Sequence, residues 1–279
     1  MSGTRTVSFC GSVPVLMYHS ISEGAGPTCT APEAFRRQMT ILEESGYGVV
    51  SLTELGEWTR GCRDLPPRCA VLTFDDGFLD FATAAFPELQ RRGWPATVFL
   101  PVSHLGGTDR WESSRKGATA RRLMDWSTVA ELAAAGIDFG AHGVTHRDLT
   151  QLRGDELLDE VLTPKRMIEE RLSRQVASFA APFGRSGAAV DNLVRQYYRQ
   201  AVGTELALAR NRSDPYAIPR IEMWYFREPG RFGAFLRGDA RSFLLVRRLL
   251  RRCRGILTTG PRQAVGGNAG LNVDPRRVK

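Results

Sequence analysis

The chain has 279 residues, 42% hydrophobic and 24% charged, with 28 Gly and 15 Pro, a balance that excludes a collagenous, disordered or disulfide-stapled protein. A chain of this length hides roughly three quarters of its unfolded surface, so one large α/β domain or two small ones need no staple. Its net charge of +8 sits at the end: residues 231–279 carry 12 Arg/Lys against 2 Asp/Glu, a surplus of +10, which leaves −2 for residues 1–230 and excludes nucleic acid as the partner of the main body.

Residues 1–12 are read as an N-terminal tail, in which Ser8, Gly11 and Ser12 interrupt the apolar run that an export leader requires. No later run approaches the roughly 20 apolar residues of a membrane span. The five cysteines are odd in number and scattered, with no CxxC pair, which predicts reduced thiols and a cytoplasmic location.

From there short β-rich runs alternate with helical spacing. Strands are predicted at 14–19, 47–51, 70–75, 96–101, 137–142, 177–182 and 200–204, and helices at 32–45, 52–60, 79–92, 127–135, 155–172 and 188–198. Pro32 and Ser127 read as helix starts, and Gly46, Gly93 and Gly136 as stops. The alternation predicts βα units around a parallel sheet, and seven strands suit a barrel. The connection 102–125 is longer than a βα loop needs; it reads either as a substrate loop or as a disordered insertion. Residues 241–254 (RSFLLVRRLLRRCR) place Phe243, Val246, Leu249, Leu250 and Cys253 on one helical face and arginines on the other. That face is expected to dock on the body formed by residues 13–240; an anionic membrane surface or a partner protein is the alternative, which leaves a membrane-peripheral location open. Residues 255–279, rich in Gly, Pro and Asn, read as a disordered tail.

Three segments carry chemistry. AVLTFDDGF (70–78) runs a strand pattern straight into two carboxylates and a glycine, so Asp75 and Asp76 emerge at the C-terminal edge of the sheet. One can ligate a cation while the other stays an ionised base; a strand ending in an Asp-Gly turn is the plainer reading. FGAHGVTHRDL holds His142 and His146, two of only four histidines. The HxxxH spacing is weak alone, but one Asp and two His leave the free coordination position of catalytic zinc. FAAPFGR ends a predicted strand in Pro-Phe-Gly, a turn that either aims the Phe183 amide N–H into the site as an oxyanion donor or merely precedes a helix.

TFDDG, HGVTH and APFG, in that order, resemble the first three motifs of the NodB-type polysaccharide deacetylases, carbohydrate esterase family 4, and the resemblance extends over roughly residues 13–225. It implies a distorted (β/α)7-type barrel that hydrolyses N-acetyl, sometimes O-acetyl, groups on sugars with one divalent cation, usually Zn2+, with Co2+ or Ni2+ as substitutes. By position, Asp75 matches the general base, Asp76, His142 and His146 match the metal ligands, and the Phe183 backbone matches the oxyanion donor.

The chain departs from the family pattern at three places. Gly143 follows His142 where Ser or Thr is usual, and Ala180 stands where an Arg usually tethers the base. Arg220, in AIPRIEMW, is the candidate replacement partner for Asp75, with a surface salt bridge as the alternative. After His146 there is no histidine to act as the late general acid. His19, in PVLMYHSI, takes that role because the opening segment resembles the poly-N-acetylglucosamine deacetylases, whose acid precedes TFDDG; a histidine merely capping a strand is the alternative. His104 reads as a substrate contact or as nothing. Trp111 and Trp126 can stack on a sugar, Trp126 more in keeping with packing, and Trp224 and Tyr225 line either core or groove.

The expected partner is an acetylated amino sugar or glycan, met in the cytoplasm as a precursor or as a sugar-containing metabolite. An O-acetyl ester, a non-sugar amide, or a non-catalytic glycan-binding barrel are the alternatives. Oligomeric state is not legible in the sequence.

Overall fold

The computed structural model describes residues 11–24, 26–111, 120–239, 243–248 and 250. The strands are β1 (Val15–Tyr18), β2 (Gly48–Val49), β3 (Cys69–Phe74), β4 (Thr97–Leu100), β5 (Asp138–Ala141), β6 (Ser178–Ala180), β7 (Gln200–Val202) and β8 (Ile221–Glu222). The helices are α1 (Pro32–Glu44), α2 (Leu52–Thr59), α3 (Phe86–Arg92), α4 (Trp126–Ala134), α5 (Gly154–Leu172), α6 (Ala188–Tyr197) and α7 (Pro229–Arg237).

The strands pair in parallel in the order β7-β6-β5-β4-β3-β1-β8, with β2 beside the start of β3. The sheet then curls back on itself. Gly203 N–H donates to Ile218 O at 2.8 Å and Ile218 N–H to Ala201 O at 3.1 Å, and from Ile218 the chain runs into β8, which pairs with β1. The ring of parallel strands is the distorted barrel expected.

Alternation along each strand sorts the side chains into two apolar clusters. Val13, Val15, Val71, Phe99, Ala180, Val202 and Ile218 fill the ring, with Leu52, Leu55 and Trp58 of α2. Leu16, Leu72, Phe74, Val98, Leu100, Phe139 and Ala141 pack outward against the helices. Followed past the last strand residue, the inward rows end in chemistry: 15, 17, 19 in His19; 71, 73, 75 in Asp75; 138, 140, 142 in His142. Parity alone therefore gathers these groups at one mouth of the ring. Within it, Gly140 is required because a Cβ there would stand 2.5 Å from the Phe99 ring, which occupies the space beneath His142.

The predicted helices form with local differences. Ser51 and Glu54 close a capping box on α2. The cap of α4 is Asp125, which accepts the Thr128 N–H at 2.8 Å, so the helix begins ahead of Ser127. The helix predicted at 79–92 is broken into a π turn, Phe81–Ala85, followed by α3, which ends on left-handed Gly93. α7 was invisible to pattern reading because PGRFGAFLR holds two glycines, poor helix formers; burial of Phe232, Phe235 and Leu236 supports it instead.

The flanks of the long connection are ordered, not a loose insertion. Thr108 bridges Arg122, Phe78 bridges Leu123, and Leu123 and Met124 are buried, while 112–119 lies outside the described residues. Of the apolar face expected on 241–254, Phe243 packs on Tyr225 and Phe226, whereas Val246 and Leu250 are exposed; Leu244, outside that face, packs on the core instead. Arg248 pairs with Glu205 and Arg247 lies over the Tyr225 ring, which sets that rotation. Leu249, Cys253, the tail 255–279 and residues 1–10 lie outside the described residues. Among the described residues no helix is long and apolar enough to cross a membrane.

Candidate active site

The chain reverses directly after β3. Asp75 still belongs to the ladder, its N–H donating to Tyr18 O at 2.9 Å. Asp76 (φ 73) and Gly77 (φ 67) are both left-handed, a costly conformation for an aspartate that functional sites retain. Gly77 admits no side chain, since a Cβ would lie 2.8 Å from Leu100.

That reversal brings Asp76 Oδ1 to 3.3 Å from His142 Nε2 and 3.2 Å from His146 Nε2. His142 Nδ1 lies 2.7 Å from Ala180 O, a carbonyl that can only accept, so Nδ1 carries a proton and Nε2 is the nitrogen that faces Asp76. Lone pairs of a carboxylate and an imidazole cannot satisfy one another without a proton or a cation between them. Candidate ligand atoms of all three residues lie within 4.8 Å of one another, and all three are buried. Two imidazoles and a carboxylate with a fourth direction open are a donor set that fits a divalent cation.

Arg220 and Asp75 form a buried fork-to-fork pair beside this cluster. Arg220 Nη1 and Nη2 donate to Asp75 Oδ1 and Oδ2 at 2.7 and 2.8 Å, and Nε donates to Gly203 O at 2.8 Å. At 1% exposure Arg220 is not a surface ion pair. His19 Nε2 stands 4.0 Å from Asp75 Oδ2, and His19 Nδ1 is buried with no hydrogen-bond partner among the described residues. Ser20 and Ile21 are fixed by Asp80, which accepts Ser20 Oγ at 2.5 Å and Ile21 N–H at 2.7 Å. Phe183, 42% exposed, lies in the turn Pro182–Gly184 with φ 60 and ψ 6, and its ring packs edge-on to His146 at 4.7 Å.

The aromatic candidates divide. Trp111 lies against His146 at 4.2 Å and against His104 at 5.3 Å, on the rim of the site. His104 Nε2 is 3.2 Å from Thr145 O, so it braces the histidine loop. Trp126 packs on the core with Arg171 over its ring. Trp224 and Tyr225 meet edge to face at 5.7 Å, with Arg227 over Trp224. Two residues that pattern reading missed are Asp80 and Glu160, because each serves backbone N–H groups far away in sequence.

Electrostatics suit the two aspartates to separate tasks. Burial works to raise both carboxyls, but Arg220 holds Asp75 below the ordinary range, and hydrogen bonds from His142 and His146 hold Asp76 well below it. Burial disfavours charge on both imidazoles. His146 falls below its ordinary value, while His142, facing Asp76 and Asp75, is drawn above its own.

Barrel and site together define a parallel-stranded β/α protein with three convergent donors that could hold a cation and a separate ionised carboxylate at the strand ends. Residues 63–202, half of the chain, match the family model described as polysaccharide deacetylase, and the chain belongs to that family. It is 25% identical to YxkH of Bacillus subtilis over 225 residues, 80% of this chain and 76% of that one. It is 48% identical over 103 residues to the poly-beta-1,6-N-acetyl-D-glucosamine N-deacetylase of Escherichia coli, a match that spans 36% of this chain but 15% of that protein. The fold is shared with IcaB from Ammonifex degensii (TM-score 0.68, 21% identity, 80% of this chain and 98% of that one). It is shared also with the Streptococcus pyogenes deacetylase PplD (TM-score 0.64, 24% identity, 75% and 91%).

Proposed function

We propose that this chain removes the N-acetyl group from an amino sugar of a glycan, releasing acetate and a free amine. The observation that carries the reading is Asp75, held ionised by Arg220 beside three convergent cation ligands. Asp76, His142 and His146 would hold the cation, for which zinc suits the donor set and cobalt or nickel are substitutes. Such a cation supplies Lewis acidity to a carbonyl oxygen and lowers the pKa of water from about 16 toward 7.

The remaining steps belong to the chain. Asp75 takes the proton of the attacking water, and Arg220 fixes the carboxylate so that one oxygen faces the reacting atoms. The Phe183 N–H donates to the developing oxyanion. His19, at the edge of Asp75, protonates the leaving nitrogen; without that proton the amine is a poor leaving group.

The match to the Escherichia coli protein favours a β-1,6-linked N-acetylglucosamine chain over the small precursor that sequence alone suggested. Acetate release from such oligomers, run beside matched O-acetyl sugars, tests the reaction. Release from the amide supports the deacetylase; release from the ester alone makes the chain an esterase. Tight binding without release makes it a glycan-binding barrel.

A further inference from the structure

The turn between His142 and His146 is held from two sides. Its carbonyls are taken by the segment after β4: Val102 N–H donates to Gly143 O at 3.3 Å, and Ser103 N–H and Oγ to Val144 O at 3.0 and 2.7 Å. Its amides are taken by one side chain from the middle of α5. Glu160 Oε2 accepts the Val144 N–H at 2.7 Å, both Glu160 oxygens accept the Thr145 N–H at 3.1 and 3.2 Å, and Thr145 Oγ1 donates to Oε1. Glu160 is 4% exposed, and no Lys or Arg forms an ion pair with it among the described residues. A carboxylate buried without a cationic partner is costly unless hydrogen-bond donors meet it, and here the donors come from the turn that spaces the two histidines.

Gly143 fits the same arrangement. Its φ is +81, and a Cβ there would stand 2.9 Å from Glu160 Oε2. A side chain at 143 would have to displace the Glu160 carboxylate from its observed position and would be strained by the left-handed backbone. The turn is fastened here by a carboxylate from another element, with no hydroxyl at 143.

We propose that Glu160 is a positioning residue for the cation site: by fixing the amides of Val144 and Thr145 it sets the turn that lets both imidazoles reach Asp76. The proposal rests on the metal reading above. Glu160→Gln keeps shape but removes the charge and one of the two acceptor oxygens that the Val144 and Thr145 N–H groups and the Thr145 hydroxyl share. Two quantities are measured: the dissociation constant for Zn2+ and Co2+ by chelator competition, and amide exchange at Val144 and Thr145 in the cation-free protein. The expected result is affinity weaker by about 10- to 100-fold, the usual cost of losing an outer partner of a metal ligand, with faster exchange at both amides. Gly143→Ser should give the same pair of losses. Glu169→Gln, on the same helix but paired with Lys165 and Val176 N–H, should give neither. Should the Gln variant not fold, Glu160→Asp, which keeps the charge but shortens the reach, is expected to show the same losses to a smaller degree. Wild-type affinity and exchange in Glu160→Gln, or equal losses in Glu169→Gln, would overturn the proposal. If the wild-type chain holds no cation, the metal reading fails, and the exchange measurement alone then decides the role of Glu160.

Discussion

Arg220 and Asp75 are 145 residues apart in sequence, yet both terminal nitrogens of one meet both oxygens of the other, at 2.7 and 2.8 Å, inside the ring. Removing the guanidinium leaves a buried carboxylate with no strong partner, which costs about 3–5 kcal/mol. Arg220→Met should therefore lower the stability measured by denaturant unfolding by that order and abolish turnover. Arg220→Lys should retain more stability but little activity, because a single ammonium cannot hold both oxygens. A fully active Arg220→Met enzyme would remove Arg220 from the account.

The pH dependence of stability follows from the same pair. The Asp75 carboxyl is lowered in the folded chain, so its contribution is complete above the unfolded value of about 3.9 and is lost as pH falls through the lower folded value. Acid unfolding of Arg220→Met should begin at higher pH than that of the wild type, as followed by circular dichroism.

Cation affinity should fall with pH in a different range. His142 is raised in the cation-free chain and must lose its competing proton to bind, so affinity begins to weaken above the ordinary imidazole value of about 6.5. His146, lowered by burial, contributes only at more acid pH. A zinc dissociation constant that stays flat from about pH 8 down to about pH 5.5 would contradict this assignment.

His19→Ala should retain the cation and the fold while losing about 100- to 10,000-fold in turnover, the usual contribution of a general acid. Its effect should shrink on substrates with better leaving groups, because they need the proton less. Equal losses on good and poor leaving groups would point to a structural role for His19.

Gly140→Val should overpack the ring against Phe99, at a cost of about 1–3 kcal/mol, and disturb His142 two residues on. Differential scanning calorimetry reads the first effect and cation affinity the second.

The strands were legible as short apolar runs and most helices by the helical spacing of their apolar residues, and strand parity carries Asp75 and His142 to one mouth. TFDDG and HGVTH marked Asp76, His142 and His146, which converge in the structure, because the residues within each motif are close in sequence. β8 was legible only as a strand-like stretch around Arg220, since two paired residues leave no period to read. Arg220 could be suggested only by asking what replaces the arginine absent at Ala180. Glu160 and Asp80 left no local signal, because hydrogen bonds to the amides of Val144 and Ile21 span 16 and 59 residues. The rotation of 243–248 was set by Glu205 and Tyr225, which no pattern within that segment contains.

The most direct test combines stoichiometry and turnover on the same preparation of Asp75→Asn and wild type. Both should bind one equivalent of zinc, with Asp76→Asn and His142→Ala binding none, and only the wild type should release acetate from β-1,6-linked N-acetylglucosamine oligomers. Acetate release by Asp75→Asn at the wild-type rate, or no stoichiometric cation in the wild type, would contradict a base and a cation site divided between neighbouring aspartates.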